Sequence, residues 1–221
     1  MARRTTQPVL EYTAETVWAA AAHADRVNGG FYLREQENIL NPDGTWLPGR
    51  QANKRLLVEA LDNPDLITQE DHDVGHKAWH WHRGRCMMDG LRGELRDFRK
   101  TLFEAVSQTA FLSTNTMHMA VIASQIRAWR AGVAEEEARE DVETSPLADI
   151  GAKVRAKITV VRSVFSQNYN VFFVTAKTDC RHMVFFSYRD RLEPGYQCEI
   201  TGTVKAHRDD STQLNRVKMT A

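Results

Sequence analysis

From Ala152 to Arg162 the even positions Ala152, Val154, Ala156, Ile158 and Val160 are small or apolar, and the odd positions Lys153, Arg155, Lys157 and Thr159 are basic or polar. A period of two marks a half-buried strand. The pattern recurs from Tyr169 to Lys177, from Arg181 to Tyr188 after the turn residues Thr178-Asp179-Cys180, and from Tyr196 to Lys205 after Pro194-Gly195. It returns less regularly from Thr212 to Met219. Five short strands with turn residues between them bury their apolar faces by closing into a small barrel or sandwich.

Ahead of these strands the apolar spacing is helical. Thr13 is placed to cap a helix over 14–28, with Val17, Ala20, Ala21 and Ala24 as a slim apolar face and Gly29-Gly30 as its stop. The turn-rich stretch 41–49 reads as a loop. A helix over 51–61 follows, stopped by Asp62-Asn63-Pro64, and Thr68 with Asp71 opens another that runs to Arg83 and closes at Gly84. Leu91, Leu95, Phe98, Leu102, Phe103 and Val106 predict a long core helix over 91–107. Val121, Ile122, Ile126 and Trp129 predict a second over 117–131. The stretch 134–143 is the most acidic piece and reads as a solvated helix leading into the linker Thr144-Ser145-Pro146. Residues 1–12 read as an arm, disordered or packed through Val9, Leu10 and Tyr12. The expected fold is α+β: an α-helical domain over 1–146 and a five-stranded barrel over 147–221.

Strand count and spacing do not choose between an OB barrel and an SH3-like barrel, but three details favour the OB-fold. The first strand is long enough to pair at both ends of a barrel, Gly202 offers the bend that closure needs, and the second and third strands carry a dense run of rings. The run Gly202-Thr203-Val204-Lys205-Ala206-His207 followed by Thr212-Gln213-Leu214-Asn215-Arg216-Val217-Lys218 resembles the closing hairpin of OB-like domains in phage-encoded proteins of the single-stranded-DNA-binding type. The resemblance covers roughly 151–219. It departs from the usual pattern where Thr178-Asp179-Cys180-Arg181 replaces an Asp-Gly turn and Arg208-Asp209-Asp210-Ser211 a longer loop. It implies a non-catalytic protein of phage DNA replication or recombination that binds single-stranded DNA.

Composition adjusts this reading. The chain has 221 residues and a net charge of zero, so it is not a uniformly basic polyanion binder. Its charge is uneven, however: 148–221 holds 12 Lys and Arg against 7 Asp and Glu, and the remainder 17 against 22. The acidic half could contact replication or recombination proteins, or compete with DNA for the basic barrel. Three widely spaced cysteines, Cys86, Cys180 and Cys198, suggest thiols in a reducing compartment. No signal peptide or span of 18 apolar residues is recognised, so a cytoplasmic location with no membrane contact is expected.

Catalytic chemistry finds little support. His72, His76 and His80 lie at i, i+4 and i+8 of a helix, and His76 and His80 with Cys86 are the candidates for a metal clip. The bland reading is a solvated rim, with packing decided by Val74, Ala78, Trp79 and Trp81. His-Glu-x-x-His, Cys-x-x-Cys, a phosphate loop and Gly-x-Ser-x-Gly are all missing. An HD-type phosphohydrolase built on Asp71-His72-Asp73 lacks placeable further ligands. No enzyme activity and no cofactor are therefore expected.

The barrel's rings carry the functional reading. One face of each strand must be core, so about half of Tyr169, Phe172, Phe173, Phe185, Phe186 and Tyr188 are structural. The exposed half needs cover, and stacked bases provide it while Lys and Arg hold phosphates. The candidate nucleic-acid-binding residues are Lys153, Arg155, Lys157, Tyr169, Phe173, Lys177, Arg181, Phe185, Tyr188, Lys205, His207, Arg216 and Lys218, with Arg189 and Arg208 also at the rims. DNA and RNA are not distinguished, and homo-oligomerisation is left open. Two other readings stand beside this one: a module whose barrel binds a host or replisome protein, and a metal-dependent enzyme on the helix from His72 to Cys86.

Overall fold

The computed structural model describes residues 9–93, 97–208 and 210–220. Residues 1–8 of the arm, Leu95 of the expected core helix and Asp209 of the last turn lie outside them. The chain forms two compact units that divide between Arg130 and Ala131. This is earlier than the boundary read from the acidic linker. The carboxylates of Glu135, Asp141 and Glu143 are ion-paired to Arg162 and Arg181, which ties this segment to the strands.

In chain order the first unit runs β1 (Glu11–Thr13), α1 (Ala14–Val27), β2 (Asn38–Leu40), β3 (Trp46–Pro48), α2 (Asn53–Asp62), α3 (Gln69–Leu91), α4 (Phe98–Ser107), β4 (Ala110–Leu112), α5 (Thr116–Ile122) and the first turns of α6 (Gln125–Arg139). The Thr13 hydroxyl accepts the Thr16 N–H at 3.2 Å and caps α1. Gly29 and Gly30 end it, in the left-handed conformation at φ 64° and 81°. The slim apolar face expected for α1 is in fact a nearly complete girth: Val17, Trp18, Ala19, Ala20, Ala21, Ala22 and Ala24 are all buried. Alanine side chains let neighbouring helices come close. The tightest approach is at Gly75 of α3, where a Cβ would stand 2.6 Å from the backbone of Trp18 and Ala19.

Helix ends depart from the sequence expectation for physical reasons. Thr68 and Asp71 form a reciprocal capping box that opens α3. Burial pushes the Asp71 carboxyl up, but Arg26, donating to it at 2.9 and 2.8 Å, and Thr68 outweigh this and hold it below the usual range. The helix continues through Gly84 to Leu91, because one glycine costs only about 1 kcal/mol while His82 and Cys86 on either side are buried. The expected helix over 91–107 is therefore shortened to α4, Leu91 having gone to α3 and Gly93, at φ 71°, following its end. The expected helix over 117–131 breaks at Ala123–Ser124, where the Ser124 hydroxyl donates to the Val121 carbonyl at 2.7 Å. α6 then extends to Arg139 and absorbs the start of the acidic stretch. The turn-rich 41–49 is the turn and second strand of a hairpin, in which β2 pairs antiparallel with β3.

The second unit holds the end of α6 and the strands β5 (Lys153–Ser166), β6 (Val171–Thr178), β7 (Met183–Tyr188), β8 (Gln197–Arg208) and β9 (Ser211–Thr220). They close in the order β5-β6-β7-β9-β8, antiparallel throughout except for the parallel pair β7 and β9. The result is the five-stranded OB-like barrel. The long β5 pairs with β8 through its first half and with β6 through its second, bending at a bulge between Val160 and Arg162. Gly202 sits opposite Val154 at a register shift against β9, where a Cβ would meet Val217 at 3.2 Å, so it supplies the bend expected of it. Ile158, Val160, Val174, Ala176, Val184, Phe186, Ile200, Val204 and Leu214 fill the barrel, with Leu192 added from the β7–β8 connection.

Candidate functional site

Parity along β6 and β7 decides which rings face out. Val174 pairs with Phe186 and Ala176 with Val184, all fully buried, so these positions point inward. Phe173 and Phe185 have the opposite parity and form a stacked pair on the outside, with centroids 5.6 Å apart and planes 28° apart. Tyr169, 71% exposed in the turn between β5 and β6, places its ring 5.9 Å from that of Phe173, near edge-on. At the other end the Arg208 guanidinium lies 4.3 Å from the centre of the Phe185 ring. Tyr169, Phe173, Phe185 and Arg208 thus make one row over the outer wall of β6 and β7, from the β5–β6 turn to the β8–β9 turn.

Tyr188 does not join this row. It pairs with Phe172 on the inward parity and packs, half-buried, against the barrel core, because in β7 the even positions Val184 and Phe186 are the ones that face that core. The other ring pair, Phe165 and Phe172, has centroids 5.1 Å apart, and Phe172 likewise packs on the core.

The expected cations divide into groups. Arg162 lies outward at the bulge, in register with Thr175, Phe185 and Gln213 across β5, β6, β7 and β9, and so flanks the rings. Period-two reading missed it, since the bulge shifts the parity of β5 just there. Lys153, Arg155 and Lys157 are on the half of β5 that pairs with β8, away from the rings. Arg155 is held by Glu199 at 2.6 Å, and its hydrogen bond keeps the Glu199 carboxyl below the usual range. Lys218 faces the same side of the barrel, opposite Thr201. Lys205 is exposed at a β8 register shift, and Arg216 is exposed on β9 at φ 52°. A ring nitrogen of His207 is 2.9 Å from the Ala148 carbonyl, which ties that imidazole to the strand entry. Lys177 lies outward on β6, on the same side as Phe173 and Thr175.

Arg181 is not a free cation. In the β6–β7 turn it pairs with Asp141 at 2.8 Å and with Glu143. Glu135 reaches Arg162 at 3.3 Å, and Arg139 pairs with Asp210 of the β8–β9 turn. The end of α6 and the segment after it therefore lie over the far part of the same outer wall. There Met183, opposite Lys177, is only 2% exposed. Beside the near part, from Tyr169 to Phe185, Glu135 reaches only as far as Arg162, in register with Phe185.

On α3, His76 and His80 are exposed with ring centroids 4.3 Å apart, while Cys86 is buried two turns from His80 and does not converge with them. Among the described residues no group of three or more His, Cys, Asp and Glu could hold a metal. Burial raises the Cys198 thiol, and Asp179 beside Cys180 raises that one, so neither is an activated thiolate. No helix among the described residues is long and apolar enough to cross a membrane. Comparison of the chain with protein-family models, with curated proteins and with solved structures finds no match in any of the three.

Proposed function

We propose that the barrel binds single-stranded nucleic acid, DNA in the first instance, without turnover, as part of a phage replication or recombination system. The observation that carries this reading is the outward row Tyr169–Phe173–Phe185–Arg208. The barrel core is complete without these rings, of which Tyr169 is exposed and Phe173 and Phe185 are half-buried, and the aromatic surface they leave open is unfavourable in water unless something stacks on it. Bases do so whatever their sequence, each worth about 1–3 kcal/mol on an aromatic platform. Arg208 and Arg162 beside the rings supply phosphate contacts.

The acidic segment is part of the same reading. Exposed ion pairs such as those of Arg162 with Glu135 and of Arg181 with Asp141 are worth roughly 0.2–1 kcal/mol each, so a polyphosphate chain competes with them readily. One observation favours a second reading, in which the wall takes an acidic peptide: Arg181 already holds two carboxylates of its own chain.

Anisotropy of labelled oligo-dT, titrated with the full chain at low and moderate salt, tests the proposal. A labelled strand is needed because every tryptophan of the chain precedes Ala131, so the barrel has no indole reporter. Phe173→Ala and Phe185→Ala are expected to weaken binding about tenfold or more, the equivalent of one lost stacking contact. An oligonucleotide that does not bind, or that binds both variants as well as the parent, overturns the reading. Binding of a poly-Glu peptide in place of the oligonucleotide supports the second one.

A further inference from the structure

Midway along β5 the strand is paired on both sides: Thr159 lies between Gln197 of β8 and Lys177 of β6. Just beyond it, the Val160 N–H donates to the Tyr196 carbonyl at 2.9 Å and the Gly195 N–H to the Val160 carbonyl at 2.7 Å. Over this doubly paired stretch lies a cavity of about 810 Å³. That is within the size range of small-ligand sites, and the ring row uses none of its lining. The Tyr196 ring, 49% exposed, stands on one side. Lys157 and Lys177 line it from adjacent strands. Lys157 stands opposite Glu199 across the β5–β8 pair, and its charge helps hold the Glu199 carboxyl below the usual range. Of the two carboxylates in the wall, Glu199 is paired with Arg155 at 2.6 Å, while Asp179 keeps its charge and meets the Cys180 thiol, which donates to it at 3.5 Å. Val161 and Ala138, both half-buried, add apolar surface, which a bare inorganic ion does not need.

We propose that this cavity is a nucleotide site, taking a base against Tyr196 and its phosphate between Lys157 and Lys177. The inference rests on, and deepens, the reading of the ring row as a nucleic-acid wall. The ligand chemistry is a nucleoside phosphate, supplied either as a free mononucleotide or as a further unit of the bound strand. The second source is within reach: Lys177 shares the outward side of β6 with Phe173, four residues or about 13 Å away. A ring platform and two ammonium groups suit a stacked base with an anionic tail.

The test compares thymidine monophosphate, a short oligo-dT that covers only the ring row, and a longer oligo-dT. Each is titrated against the full chain and against Tyr196→Ala, Tyr196→Phe and the double variant Lys157→Gln with Lys177→Gln. Saturable monophosphate binding, lost about tenfold in Tyr196→Ala and in the lysine variant and kept in Tyr196→Phe, supports the free-nucleotide source. The component of monophosphate binding that persists in Phe173→Ala with Phe185→Ala is the one assigned to the Tyr196 cavity, since the rings can stack a free base themselves. If instead only the longer oligonucleotide loses affinity in Tyr196→Ala and the lysine variant, the strand source is supported. Monophosphate and longer oligonucleotide both indifferent to Tyr196→Ala and to the lysine variant overturn the nucleotide site. That outcome is separate from failure of the ring row, which the short oligonucleotide reports through Phe173→Ala and Phe185→Ala alone.

Discussion

Phe185 and Phe186 are neighbours with the same side chain and opposite assignments. Phe186 is fully buried in the barrel, so Phe186→Ala removes a filled volume and should cost about 3–5 kcal/mol, read as a large fall in unfolding midpoint. Phe185→Ala lies on the outer wall and should leave the midpoint nearly unchanged while weakening oligo-dT. If thermal unfolding ranks the two variants the other way round, the strand parity is wrong. His82 presents another contrast at this scale. Its Nε2–H donates to the Gln125 carbonyl at 3.0 Å, and burial pushes its pKa down from 6.5 to about 4. The unfolded chain takes up this proton near pH 6.5 and the folded chain only near pH 4, so stability falls as the pH drops through that window. The loss approaches about 3 kcal/mol below it. Denaturant unfolding between pH 7 and 4 should show this decline, and His82→Gln should flatten it; an equal slope in the variant counts against His82 as the source.

At the scale of elements, the segment from Glu135 to Glu143 matters most. The sequence marks it as solvated, and indeed most of it is exposed, but its charges are not idle: they are laid on Arg162, Arg181 and the β8–β9 turn. Replacing Asp141 by Asn together with Glu143 by Gln frees Arg181. Under the proposed function this should tighten oligo-dT binding about two- to fivefold at low salt, the share that exposed ion pairs of this kind contribute. Unchanged affinity would mean that Arg181 contacts no phosphate.

For the whole molecule, net charge is zero, so attraction for a polyanion must come from local placement rather than from the overall field. The cations flanking the rings are Arg162 and Arg208, with Arg181 farther along the wall at the β6–β7 turn. Three phosphate contacts on a single strand give a slope of log affinity against log salt of about −2. A slope near zero would argue for an apolar ligand on the rings, and a much steeper one for the distant lysines Lys153 and Lys218 taking part as well.

The strands of the barrel, its closure and the long first strand were legible from period-two alternation and turn residues, because a small sheet has few ways to bury one face. The helices were legible in kind but not in extent. Gly84 reads locally as a stop, yet its cost of about 1 kcal/mol is small beside the burial of its neighbours, which only the packed unit reveals. The ring residues were likewise visible as a cluster, but alternation alone assigns two faces without saying which is inside. That choice was made by pairing across the sheet, which sent Tyr188 inward and left Tyr169, Phe173 and Phe185 out. Arg162 and the Tyr196 cavity could not be read at all, since a bulge and the pairing of β5 on both its edges depend on contacts distant in sequence. The chain by itself determined that a basic, aromatic-rich small barrel would form, because periodicity is local. Only the tertiary structure decided which rings and cations share a wall, because register and closure are not.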